Sequence, residues 1–231
     1  MDKVIQEGQK NSSKHEELLK FRFLQCRSDL FDKETTKLFL KQLFLEYKYD
    51  KLLKQPKLLK DEYWIKLFFI LQEKQKKTIK ELELIYQGSR DGLNGNSFWN
   101  KCNGKCNLLM IFQSQSGYIF GGYSPCQWQC NLNSYVQDDT LSSFLFSQTH
   151  DQIYSLKQDL KSRAIYCNSG YGPTFGGGHD IYINAHDFKE GSSNLGYSYQ
   201  WDKYENKRST HLFGQDKPNI SECEIFELKF V

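Results

Sequence analysis

Two hydrophobic rhythms divide the chain. In its first part apolar residues recur one helical turn apart: Leu18-Leu19, Phe23-Leu24, Leu38-Phe39, Leu43-Phe44 and Tyr47. That spacing, in a stretch without interior Gly or Pro, predicts amphipathic helices. Asp32, ahead of Lys33-Glu34-Thr35, is a candidate N-cap. Pro56 interrupts the rhythm and Tyr63 to Leu71 resumes it. No heptad persists long enough for a coiled coil. The region reads as a short helical hairpin, or as helices docked on the second part of the chain.

From residue 82 the pattern shortens into strands separated by Gly, Asn and Ser. The β-rich runs are Leu82–Tyr86, Leu108–Phe112, Tyr118–Phe120, Ser143–Phe146, Ala164–Cys167, Ile181–Ile183 and Cys223–Val231. Short strands at this spacing predict an antiparallel sandwich or barrel. In the last run Cys223 and Ile225 share one face, after which Phe226, Leu228 and Phe230 take the other. Either a bulge or burial on both faces produces such a switch. Gln115-Ser116-Gly117 predicts a hairpin turn, and one helix is expected over Ser97–Cys102, capped by Asn96 and ended by Asn103-Gly104. Phe98 and Cys102, four apart, then share its buried side.

Charge and glycine divide at the same place. Residues 1–80 hold 19 Lys/Arg against 12 Asp/Glu, and the remainder holds 12 against 16, which sums to the net +3. One of the 16 glycines, Gly8, precedes residue 88. The expected division is therefore a basic helical region over 1–77 and a β-rich domain over 78–231. Its lysines, among them Lys48, Lys51, Lys54, Lys57 and Lys60, read as a solvated face. With 39% hydrophobic and 15% aromatic residues the chain has ample surface to bury. The longest apolar run, Leu67–Leu71, is far short of the ~20 residues of a membrane span. The N-terminus carries no apolar export segment. The seven cysteines, an odd number, are thus expected to be reduced thiols of a cytoplasmic protein.

Three groups of residues invite a chemical reading. Cys102, Cys106, Cys126 and Cys130 form two pairs with three intervening residues each, one more than the usual zinc knuckle, so ordinary thiols are expected. They are also the candidate redox thiols. His150-Asp151, His179-Asp180 and His186-Asp187 place imidazole beside carboxylate, but neighbours on a strand face opposite ways, and turn-satisfying roles are expected. The run from Gly170 to Asp180 suggests a phosphate cradle, yet it leads into Ile181-Tyr182-Ile183, a strand, whereas a cradle precedes a helix. Close backbone approach or positive φ explains it better. No nucleophile elbow, zinc-protease helix or phosphate-binding lysine loop is present.

Five segments, in order, resemble the TLDc domain of the oxidation-resistance proteins. The first is Ser89-Arg90-Asp91-Gly92 with Ser97-Phe98 and Cys102–Lys105. The second is the hairpin from Leu108 to Tyr123 with Phe120, Gly121 and Gly122, and the third is Ser142–Phe146. The fourth contains Gly172, Pro173, Phe175, Gly176, Gly177 and Asp180, and the fifth runs from Glu222 to Leu228. The resemblance implies an α+β fold, an antiparallel β-sandwich of two sheets flanked by helices, here preceded by the helical N-terminal region. It implies a non-catalytic protein-interaction module, linked to oxidative-stress protection and docking on the vacuolar proton-pumping ATPase. Neither cofactor, nucleic-acid partner nor membrane insertion is expected. The alternatives are a thiol-based antioxidant protein using the four cysteines, or a permanent structural component of a cytoplasmic or cytoskeletal assembly.

Overall fold

The computed structural model describes residues 56–201 and 210–231. They belong to a compact unit running from Asp50 to Val231. The helical repeat over residues 18–47, the Asp32 cap and Lys48, Lys51 and Lys54 lie outside the described residues.

The unit begins with helix α1 (Asp61–Gln75), whose first turn carries Asp61 and Glu62, well placed on the helix dipole. It ends at Lys76 in the left-handed conformation (φ 52°), whose N–H returns to the last turn. Strand β1 (Ile79–Gln87) and the helices α2 (Gly88–Asp91) and α3 (Gly95–Cys102) come next. The remaining elements are β2 (Leu108–Ser114), β3 (Ile119–Ser124), β4 (Ser134–Val136), β5 (Phe144–Ser147), β6 (Gln152–Ser155), a 3-10 segment (Gln158–Arg163), β7 (Ile165–Cys167), β8 (Tyr171–Phe175), β9 (Ile181–Asn184), β10 (Gly191–Ser192), α4 (Thr210–Phe213) and β11 (Ile220–Phe230). The first sheet has the order β1-β11-β2-β3-β5-β6 and the second β10-β9-β8-β7-β4. Neighbouring strands pair antiparallel. The fold is therefore α+β, with two antiparallel sheets and a few helices.

Strand alternation sorts the apolar residues of the first sheet into two cores. Leu108, Met110, Phe112, Phe120, Leu145, Cys223 and Ile225 belong to the core shared with the second sheet. Between them Leu109, Ile111, Tyr123, Phe144, Phe146, Phe226 and Leu228 are equally buried. Helix α1 covers that opposite face with Tyr63, Trp64, Leu67, Phe68 and Leu71. Tyr63 lies 6.0 Å from Phe146 between ring centroids, and the Lys74 ammonium sits 6.0 Å over Phe144. Hydrogen bonds fix the helix: Tyr63 Oη donates to the Gln152 carbonyl (3.0 Å), and Gln72 Oε1 accepts from the Ile79 amide (3.1 Å). The chain before the helix is held by Glu224, a buried carboxylate on β11 that accepts from the Leu58 amide at 3.1 Å.

Aromatic rings fill the space between the sheets. Trp128 packs edge-on against Phe98 (5.8 Å) and Phe175 (5.4 Å). Two glycines of β3 set how closely the layers approach. A β-carbon on Gly122 would lie 2.9 Å from the Phe175 ring across the sandwich, and one on Gly121 would lie 2.7 Å from Phe146 on the helix side. Each face of the strand thus takes a ring where a side chain would stand.

Several expectations change. The cap of α3 is Asn94, whose side chain accepts from the Ser97 amide at 2.9 Å, so the helix starts earlier than Asn96 would place it. Asn103 and Gly104 end it as expected, with Gly104 at φ +80°. The face switch in β11 comes from burial on both faces, since its register with β2 is regular through Ile225 and Phe226; the bulge at this level lies in β1, between Leu84 and Tyr86. Strands β4, β6, β8 and β10 did not announce themselves, because two to five residues of mixed polarity carry too little alternation. Helix α1, which the division at residue 77 grouped with the N-terminal region, docks on the first sheet, one of the two arrangements expected for the helices.

Shortening Leu67 to Ala is expected to cost about 2–4 kcal/mol in urea unfolding, the range for a buried leucine. A chain begun at Lys77 should be insoluble or bind a hydrophobic dye, because the helix-side face of the first sheet is then bare. A soluble, cooperatively unfolding product would refute the three-layer account.

Candidate functional site

The glycine-rich segment is organised around one carboxylate. Asp180, fully buried, accepts four backbone amides: Gly196 and Tyr197 on Oδ1 at 2.9 Å, Tyr199 on Oδ1 at 3.2 Å and Ser198 on Oδ2 at 2.9 Å. Burial pushes its pKa up to about 6 against the pull of those amides, and at neutral pH it is ionised. Further bonds close the same two segments together. Ser193 Oγ donates to the Asp180 carbonyl, the Gly177 amide donates to Ser198 Oγ (2.7 Å), and Asn194 Nδ2 donates to the Gly178 carbonyl. Gly176 has φ +82°, and a β-carbon there would lie 2.0 Å from Asp180 Oδ2. The glycine run is thus the turn that brings Asp180 under residues 196–199.

Above this turn the second sheet presents its outer face. Tyr135 on β4, Tyr166 on β7, Tyr171 on β8 and Tyr182 on β9 form a row of half-buried rings, with successive centroids 4.9, 5.2 and 5.0 Å apart. His179 packs among the last three at 5.8, 5.7 and 5.5 Å, and burial lowers its pKa, leaving it neutral at pH 7. The Arg163 guanidinium lies 5.6 Å over the Tyr135 ring and 3.4 Å from the Tyr197 hydroxyl. Gly177 leaves room for the arginine stem, since a β-carbon there would come within 2.4 Å of Cδ. Tyr197, 46% exposed, stands beside it. Sequence reasoning missed this surface, although Ile165-Tyr166-Cys167 and Ile181-Tyr182-Ile183 each put a tyrosine opposite two core residues.

The other motif positions are distributed through the architecture. Asp91 accepts the Gln87 amide (2.9 Å) and pairs with Arg90 (2.6 Å), whose hydrogen bond holds its pKa below the usual carboxylate value. Gly92 turns the chain at φ +93°, and its carbonyl accepts from Tyr86 Oη at 2.6 Å. Phe98 and Phe120 are core rings. Gly172 and Pro173 fall where the β8–β9 register shifts, a place where a strand tolerates a residue without an N–H. Gly122 and Phe175, from different motif segments, meet across the sandwich.

The two cysteine segments run side by side, the Gly104 amide donating to the Trp128 carbonyl (2.7 Å) and the Trp128 amide to that of Lys105 (2.9 Å). Their sulfurs differ in setting. Cys102 lies in the core, where burial raises its pKa, and Cys126, also buried, is pushed up to about 12. Cys106 and Cys130 are partly exposed. Among the described residues no three Cys, His, Asp or Glu side chains converge as metal ligands. Of the three His-Asp neighbours, one stays together as an exposed pair and the others part. His150 stacks on His211 at 4.2 Å while Asp151 pairs with Lys66 at 2.6 Å, Asp180 turns to the amides of residues 196–199 while His179 meets the tyrosines, and His186 is exposed with Asp187 3.7 Å away.

Replacing Asp180 by Asn should cost about 1–3 kcal/mol, since an amide nitrogen would face the Ser198 N–H it cannot accept; thermal unfolding reads this, and an unchanged midpoint would contradict the role given to the carboxylate. Native-state labelling with iodoacetamide, followed by peptide mass mapping, should modify Cys106 and Cys130 about tenfold faster or more than Cys102, Cys126, Cys167 or Cys223. A core thiol labelled first would overturn the burial argument.

No match to the chain was found among curated proteins. The family model of the TLDc domain matches residues 52–229, a span that takes in helix α1, both sheets and the motif positions described above. The chain belongs to the TLDc domain family.

Proposed function

We propose that this chain works as a non-catalytic protein-interaction module of the cytoplasm, docking on the vacuolar proton-pumping ATPase and contributing in that way to protection from oxidative stress. One observation carries the interaction reading. The motif residues of the glycine turn serve a half-buried aromatic surface, with Asp180 already engaged by four amides and Gly177 lying beneath Arg163. Aromatic and arginine side chains on a rigid sheet are the residue types that dominate protein interfaces. The ATPase as partner, the stress role and the location come from the family resemblance. No described helix is long and apolar enough to cross a membrane, so an encounter with a membrane-bound pump is read as peripheral docking.

Affinity capture with the tagged full chain, from cytosol and from detergent-solubilised membranes at low and high salt, tests the reading. ATPase subunits enriched at low salt and depleted at high salt are expected, because exposed charge pairing is screened over about 8 Å at physiological ionic strength. Capture of a different assembly would keep the module and replace its partner. No reproducible partner at either salt would refute the docking function.

A further inference from the structure

Resting on the docking reading above, we infer that the outer face of the second sheet is the docking surface and that it receives a protein segment presenting carboxylates beside apolar side chains. The ring row crosses four strands, from Tyr135 to Tyr182, and each ring leans on the next. Rings already packed in place lose little freedom when a partner settles on them, which favours binding. Their exposed faces accept aliphatic or aromatic side chains.

The polar groups of this face determine the chemistry of the occupant. Tyr135 Oη donates to the Gly177 carbonyl (2.8 Å), and Tyr182 Oη accepts from Asn184 (3.1 Å). The hydroxyls of Tyr166 and Tyr171 have no hydrogen-bond partner among the described residues, and Arg163 has no carboxylate within ion-pair distance among them. What the face offers is donors: two phenols and a guanidinium held in place by Tyr135 and Tyr197. A carboxylate is the complementary group, since it accepts two parallel N–H bonds from a guanidinium. The flanking lysines are engaged, Lys161 with Asp139 at 2.8 Å and Lys157 with the carbonyls of Gly196 and Tyr197. A nucleic-acid backbone calls for several unpaired cations in a track. An acidic peptide needs one such cation set among apolar rings, which is the arrangement found.

The test selects a phage-displayed library of random dodecapeptides on the immobilised full chain, then measures the selected peptides on Arg163→Gln and on the double variant Tyr166→Ser/Tyr171→Ser. Both variants alter surface groups, and an unchanged melting temperature verifies their fold. Selected peptides should carry Asp or Glu beside an apolar residue, and should bind each variant about tenfold more weakly than the parent. Peptides without acidic residues, or affinities that neither variant changes, would overturn the inference. So would a 20-nucleotide single strand that binds in the same variant-dependent way where no acidic peptide does. Repeating the affinity capture with the two variants separates this inference from the reading it rests on. Equal capture by parent and variants removes this surface and leaves the docking function standing, whereas capture lost in both variants supports the surface. If the parent captures nothing, the docking function falls, and the peptides alone decide whether the face binds acidic segments.

Discussion

The six-stranded sheet carries apolar side chains on both of its faces, and the other layers are placed where they cover them. Alternation along β2, β5 and β11 sends Met110, Leu145 and Ile225 to one side and Leu109, Phe144 and Phe226 to the other. One side meets the second sheet and the other meets helix α1. Neither cover is optional, because a face of phenylalanine, tyrosine and leucine left in water would drive association. This constraint ties a helix from the basic part of the sequence into the β-rich unit, and it places buried Glu224 where it can anchor the backbone leading into that helix.

The long, strongly patterned elements were legible in the amino-acid sequence. Leu108–Phe112 reads as a strand because five consecutive apolar residues need burial on both faces, and the helix at Tyr63–Leu71 declares itself by its turn spacing. The family resemblance extended that reading to the architecture. Less legible were β10, only two residues long, and β4, whose partner β7 lies about thirty residues further along the chain. The N-cap was misplaced by two residues because Asn94 and Asn96 both have suitable side chains, and local sequence does not choose between them. The half-buried tyrosine row was hidden for a different reason. Its members come from four separate strands, and their adjacency exists only after those strands pair.

The glycine turn was legible in part. Its composition announced positive φ or close backbone approach, and both occur, the first at Gly176 and the second at Gly172, where a β-carbon would lie 2.8 Å from the Ile183 carbonyl oxygen. What composition did not convey is that the space left by Gly176 is filled by a carboxylate sixteen to nineteen residues from the amides it holds. Removing side chains from the turn gives Asp180 a position from which it gathers a loop, and that loop carries Tyr197 to the edge of the aromatic face. Architecture and surface are therefore not separable at these positions, and a substitution that loosens the turn will also disturb what it presents.

The strand order of the first sheet bears on how the molecule is made. Strand β11 lies between β1 and β2, so residues 79–87 find their partners only in residues 224–230. A ribosome delivers β1 well over a hundred residues before β11 leaves the exit tunnel. During that interval β1 has no partner in the sheet and β2 lacks one along the edge that β11 will take, and a nascent chain in that state relies on delay or on chaperones to avoid wrong pairings. Once β11 inserts, it joins β1 to β2 and brings Glu224 to the backbone ahead of helix α1 in the same event. The arrival of this strand thus acts as a quality check on synthesis, because a chain cut short before β11 leaves the sheet in two separate pieces.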